Sequence, residues 1–344
     1  MDGYGRSRKK SPRPAEPGVA LVRAPELGSQ LSPLLEPLIK SAKDYATQAR
    51  GPATHRAYEY QQRRFRGWWD EQGSKLPAFP ASSGAVAIYI AACADEPLKV
   101  ASISQAMSAI AAWHKENGLA SPCAHPQVQE VWSGIKRKLG TVQEHKTALK
   151  IDALREMIET APDNVLGARD RALLVTGFAG GFRRSELVAV NVEDLTFVKE
   201  GVEILIRKSK TDQYGKGLTK VIAFGSDEAC CPVRLLKQWL ATSGTETGPV
   251  FRRVDRHGNV GKEALTGRAV AVIVKCAATR AGFKETGDLS GHSLRAGFVT
   301  EAKRHGADDK SVMDQTGHRS VQMLLRYYQR DNKWEKPASA KLGL

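Results

Sequence analysis

Two segments of alternating character interrupt a chain whose apolar spacing is otherwise helical, and this restricts the folds open to it. Val202, Ile204 and Ile206 alternate with charged or polar residues, residues 212–217 read as a turn, and residues 218–224 resume a strand pattern. One β-hairpin is therefore predicted. Lys208, Lys210, Lys216 and Lys220 crowd it; most are expected to be solvated edge charges that discourage strand aggregation, with one able to reach a site from the rim.

Before the hairpin, residues 31–139 are helical throughout. Thr54 can cap a helix reaching Trp69, with Tyr58, Phe65 and Trp69 on one face and Arg56 and Arg63 on the opposite one. Further helices are expected at 82–94, 102–117 and 126–139, the last ending in Lys136, Arg137 and Lys138, where cations also suit the helix dipole. Ile151, Leu154 and Ile158 mark another helix, and residues 170–178 a buried one that stops at Gly180-Gly181. Ser185 is a plausible cap for a helix through Val190. Helices follow at 231–240 and at 265–281, the second with Thr266 as cap and Gly282 as stop, and residues 252–258 read as a loop with His257 as a turn residue. The expected architecture is mainly α with a small β-hairpin or sheet, in two domains. A basic tail at 1–30 is too polar and broken by proline and glycine to build a core and is expected to be disordered; a helical domain spans 31–140, a polar linker 141–147, a second domain 148–330 and a tail 331–344.

The 344 residues suffice for two cores. The chain holds 52 Lys and Arg against 37 Asp and Glu, a net charge of +15, which suits a polyanionic partner as well as a basic but otherwise ordinary soluble protein. Five scattered cysteines, two of them adjacent at Cys230-Cys231, give neither a disulfide framework nor a paired zinc spacing, and fit a reducing cytoplasm. No apolar run approaches the ~20 residues of a membrane span, and no secretion signal is recognisable at the start.

Chemistry-bearing residues gather near the end: Ser290-Gly291-His292-Ser293-Leu294-Arg295, Gly317-His318 and Arg326-Tyr327-Tyr328. Arginine offers a fork of donors matching two phosphate oxygens, histidine moves a proton near neutral pH, and tyrosine can attack to form a covalent ester. Each alone is more often structural. Together they suggest a phosphate site. Arg295 lies one turn beyond His292, at a helix start whose free amides attract anions. With Ser320 as N-cap, Val321, Leu324, Leu325 and Tyr328 form a core stripe at i, i+3, i+4 and i+7, which sets Tyr327 about 120° off that stripe and makes it the candidate nucleophile, with Tyr328 as anchor. Farther back, Glu186 stands three residues after Arg183 and could orient it, or could form an ordinary surface ion pair.

With these motifs in order, residues 148–330 resemble the catalytic domain of the tyrosine recombinases, the family of phage integrases, bacterial Xer proteins and Cre. Gly181-Phe182-Arg183-Arg184-Ser185-Glu186-Leu187 looks like the family's first-arginine motif, Lys208-Ser209-Lys210-Thr211 its hairpin lysine motif, His292-Ser293-Leu294-Arg295 its His-x-x-Arg motif, and Gly317-His318 its later histidine or tryptophan position. The family's nucleophile stands nine residues farther on, at Tyr327. Ser290-Gly291-His292-Ser293 looks particularly like the Cre branch, and the helical N-terminal part is similar to the family's core DNA-binding domain.

The resemblance implies cleavage and rejoining of double-stranded DNA through a 3′-phosphotyrosyl intermediate. Arg183 and Arg295 would clamp the phosphate, supported by Glu186; His292 would take the Tyr327 proton, Lys210 would protonate the leaving oxygen, and His318 would bind the phosphate. It implies no cofactor and no metal, a protein monomeric when free and a homotetramer on DNA passing through a Holliday junction, in the cytoplasm of a bacterium or encoded by a phage, associated with the nucleoid and not with a membrane. The tail after Tyr327 would dock one protomer onto its neighbour. Arg56, Arg63, Lys136, Lys275 and Arg280 are candidates for DNA contact. A noncatalytic DNA-binding protein on the same scaffold and a type IB topoisomerase-like enzyme are the competing functions. The target sequence, and the choice between integration, resolution and inversion, are not legible.

Overall fold

The computed structural model describes residues 35–96, 98–141, 147–207 and 217–328. The expected tails, most of the expected linker and the hairpin connection 208–216 with Lys210 lie outside the described residues. The fold is mainly helical with small sheets, as expected, and the chain divides between residues 143 and 144 into two compact units.

The first unit contains α1 (Glu36–Gln48), α2 (Pro52–Glu71), α3 (Ser83–Asp95), α4 (Val100–Glu116) and α5 (Pro126–Leu139). Helix α2 begins at Pro52 after an extended Gly51, not at a Thr54 cap. Proline's fixed φ and missing N–H suit the first helical position, and this outweighs the hydroxyl two residues on. Phe65 and Trp69 turn inward as expected, with the Phe65 ring 4.9 Å from Tyr89 in edge contact, whereas Arg56 and Arg63 are exposed. α2 packs on α4 and α3 on α5. The Ser82 Oγ caps α3 by accepting from the Ala85 N–H at 3.1 Å.

The second unit is built round α7 (Val165–Ala179). Ala172, Leu173, Leu174, Val175 and Phe178 are buried on all sides of it, so it lacks a solvent face. On one side lie α9 (Pro232–Ser243) and a three-stranded antiparallel sheet of β1 (Leu195–Phe197), β2 (Gly201–Ile206) and β3 (Leu218–Ala223). On the other lie α6 (Ile151–Glu159), α10 (Gly267–Arg280) and α11 (Gly291–Arg304). A short α8 (Arg184–Val188) follows α7, and α12 (Asp309–Thr316) and α13 (Val321–Leu325) close the described chain.

Three more expectations fail locally, all in this unit. Residues 252–258 are not simply a loop: β4 (Arg252–Val254) pairs with β5 (Val260–Ala264) around a turn in which Asp255 accepts from His257, Asn259 and Gly258 N–H groups. These strands are mostly polar and partly exposed, so no apolar alternation announces them. The cap of α8 is Arg183, not Ser185, because Glu186 reaches back to accept from the Arg183 N–H at 3.0 Å. Finally, α13 stops at Leu325, so the helical wheel does not extend to the tyrosines; Leu324 is buried, but Val321 and Leu325 are 43% and 53% exposed.

One close approach fixes α11 against the chain before α6. A Cβ on Gly297 would fall 2.2 Å from the Leu149 carbonyl oxygen and 2.6 Å from the Phe178 ring. We expect Gly297→Ala to lower stability by roughly 1–3 kcal/mol in denaturant unfolding. Gly287→Ala, where a Cβ meets nothing within 4 Å, should stay within about 0.5 kcal/mol of the parent.

Candidate active site

Two helix ends converge to make the site. Both helices are left through left-handed glycines, Gly181 at φ 52° after α7 and Gly317 at φ 70° after α12, a conformation that costs a residue with a Cβ far more. The last carbonyls of each helix have no intrahelical partner and carry the negative end of the helix dipole. Side-chain cations take them up. Arg295 Nη1 donates to the Gly181 and Thr316 carbonyls, at 2.7 Å each. Arg183 Nη2 donates to the Gly317 carbonyl at 3.4 Å, while its Nη1 pairs with the buried Glu186 carboxylate. Glu186 therefore orients Arg183 from inside the protein and is not a surface pair.

Arg295 is fully buried, and its Nη2 donates to His318 Nε2 at 2.9 Å. That contact settles the histidine's proton. Nε2 accepts, so Nδ1 carries the hydrogen and donates to Thr316 Oγ1 at 2.8 Å, and the threonine hydroxyl passes its own hydrogen to the Val312 carbonyl at 2.6 Å. His318 is buried and neutral. Burial first, then Arg295, Arg183 and Lys220, push its pKa from 6.5 down to about 3. Burial and the neighbouring Arg183 bring Arg295 down to about 10, opposed by Glu186 and Tyr327, so it keeps its charge at neutral pH.

The Tyr327 ring lies 4.9 Å from the His318 ring, and the Arg295 guanidinium carbon sits 5.3 Å from the Tyr327 centroid. Both tyrosines are half-buried against Val299, Val312 and Leu324, so the expected contrast between a buried Tyr328 and an outward Tyr327 is not seen. Tyr327 is the one whose ring lies against Arg295 and His318. Arg183, Glu186, Arg295, His318 and Tyr327 are thus brought together. His292, at the start of α11, is exposed although Arg295 one turn later is buried, so the two do not share one environment.

Lys220 is the site residue that the hairpin reading misplaces. It is no solvated edge charge but fully buried, with Nζ donating to the Gly180 carbonyl at 2.9 Å and to the Gln315 carbonyl, 4.9 Å from the Phe182 ring centroid. Burial lowers its pKa to about 7; Arg295 and Arg183 add to this, and Glu186 opposes. The signal was present in the alternation: Lys220 pairs across from Ile204 and stands two residues before the buried Ile222, on the strand's inner face. Among the candidate DNA contacts, Lys275 is exposed, Lys136 lies over the Trp132 ring at 5.5 Å, and Arg280 reaches to 3.8 Å from the buried Asp170 carboxylate, which gives it a structural task.

A phenol against a buried guanidinium, with a second arginine held by a buried glutamate, places the site in the class of tyrosine recombinases. The chain belongs to the phage integrase family, whose model matches residues 147–334. It is 36% identical over 301 residues to an integrase/recombinase xerD homolog of Selenomonas ruminantium, covering 86% of this chain and 87% of that protein. The fold is shared at 18% identity with a XerH site-specific recombinase bound to palindromic difH substrate in a post-cleavage complex, at TM-score 0.63 over 89% of this chain and 85% of the other. It is also shared with a lambda integrase tetramer bound to a Holliday junction, at 18% identity and TM-score 0.59, over 87% and 78% of the two chains. Among the described residues no helix is long and apolar enough to cross a membrane.

The His318 shift has a signed consequence. Between pH 6.5 and about 3 the unfolded chain binds a proton that the folded chain refuses, so this group's contribution holds above pH 6.5 and is lost as pH falls through that window. Melting temperatures recorded across the window should fall less steeply for His318→Gln than for the parent.

Proposed function

We propose that this chain is a site-specific recombinase that cleaves and rejoins duplex DNA through a 3′-phosphotyrosyl intermediate at Tyr327. The observation that carries the proposal is the Tyr327 ring packed against Arg295 and His318, with Arg183 on the neighbouring carbonyl. In the reaction the Tyr327 oxygen attacks phosphorus, a P–O bond forms to it and the bond to the 5′-oxygen breaks. His292 accepts the phenol proton, and Lys210 gives a proton to the departing oxygen. A phenol is a weak nucleophile until its proton is taken, so such a base is needed. Arg183 and Arg295 stabilise charge that builds on the nonbridging oxygens, a fixed field that strengthens towards the transition state.

His318 contributes by exchanging partners. An arriving phosphate oxygen takes over the Arg295 Nη2 hydrogen bond; Nε2 then gains a proton from water as Nδ1 gives its own up to water, the Thr316 hydroxyl turns to donate to the bared Nδ1, and Nε2–H donates to a second oxygen. Because the phosphotyrosyl ester resembles the bond it replaces in energy, religation proceeds without a nucleotide or a metal. The +15 net charge and the DNA-bound complexes of XerH and lambda integrase support double-stranded DNA as the partner. The lambda integrase tetramer on a Holliday junction supports exchange in a tetramer assembled on DNA.

The test begins by recovering the chain's binding site from random duplexes, then placing a nick beside it so that cleavage traps the adduct. The parent and Tyr328→Phe should form a protein-DNA adduct that survives denaturation, and Tyr327→Phe none. An adduct lost with Tyr328→Phe but kept with Tyr327→Phe would sink the nucleophile assignment.

A further inference from the structure

The chemistry proposed above has no task for Lys220. It is fully buried, and both its mapped hydrogen bonds go to backbone carbonyls, Gly180 at the C-cap of α7 and Gln315 on α12. Arg295 repeats this arrangement one residue along at both helix ends, joining Gly181 to Thr316. Two neighbouring cations therefore lace two successive carbonyls of one helix end to two successive carbonyls of the other. An ammonium in the interior is costly unless its surroundings repay the lost water. Here two dipole ends and the face of Phe182 do so.

We infer that Lys220 is a positioning residue for the phosphate-binding arginine: by tying Gly180 to Gln315 it sets the spacing of the α7 and α12 ends, and with it the two carbonyls that aim Arg295. This rests on the recombinase function proposed above. The lysine itself never touches the phosphate. A second link joins the same elements, because Gln315 Nε2 donates to the Val221 carbonyl at 2.9 Å and the Ala179 carbonyl at 3.3 Å. Loss of the ammonium should therefore loosen the aim of Arg295 while leaving the sheet attached.

The experiment compares the full chain with Lys220→Met, which keeps the apolar stem, in single-turnover cleavage of the recovered nicked site. DNA affinity should stay within about 2-fold and the cleavage rate at saturating DNA should fall roughly 10- to 100-fold, as for a misaligned catalytic contact. The deficit should be as large on a duplex whose leaving 5′-oxygen is replaced by sulfur, which departs as a thiolate and needs no proton donor. Rescue by sulfur would make Lys220 the acid and overturn the inference, as would a rate within 2-fold of the parent. If the parent itself forms no adduct on either duplex, the recombinase function fails and not the clasp. In that event, or if Lys220→Met does not fold, side-chain NMR of the parent decides: slowly exchanging Nζ hydrogens on Lys220 uphold the clasp, and exchange as fast as that of exposed lysines overturns it.

Discussion

The structure turns on how the buried ends of α7 and α12 satisfy their carbonyl groups. Two negative helix ends brought together repel, and carbonyls shut away from water without a donor are costly. Lys220, Arg295 and Arg183 meet Gln315, Thr316 and Gly317 in order, and the first two also meet Gly180 and Gly181. Under the proposed function, fold and chemistry both draw on Arg295 and Arg183. The buried Glu186 balances one of them, and neutral His318 adds no charge, so the pocket keeps a positive excess suited to a phosphate.

Much of this was legible in the sequence because the motifs are local. Helix boundaries set by proline and glycine, the Thr266 cap and the inward face of β2 follow from rules acting over a few residues. The pairing of Arg183 with Glu186 was visible as a spacing, though its burial was not. Where expectation failed, a longer-range or competing interaction decided. The β4 and β5 strands are held by an aspartate-centred turn and carry no apolar alternation. The tyrosine wheel assumed a helix that ends too soon.

Lys220 is the instructive case. Its position on the inner face of β3 could be read from alternation, but a charge at an inward position normally counts against such a reading. Only the tertiary structure supplies the two helix ends that make the position tolerable. The proton of His318 is likewise a tertiary fact, since it depends on an arginine 23 residues away in the chain.

Gly317 anchors one end of the short segment that runs through α13 to Tyr327, and the phenol ring at the other end rests on the guanidinium bound to the adjoining carbonyl. Under the proposed function, attacking group and receptor hang from a single point of the same polypeptide. Each copy then brings its own blade to its own block.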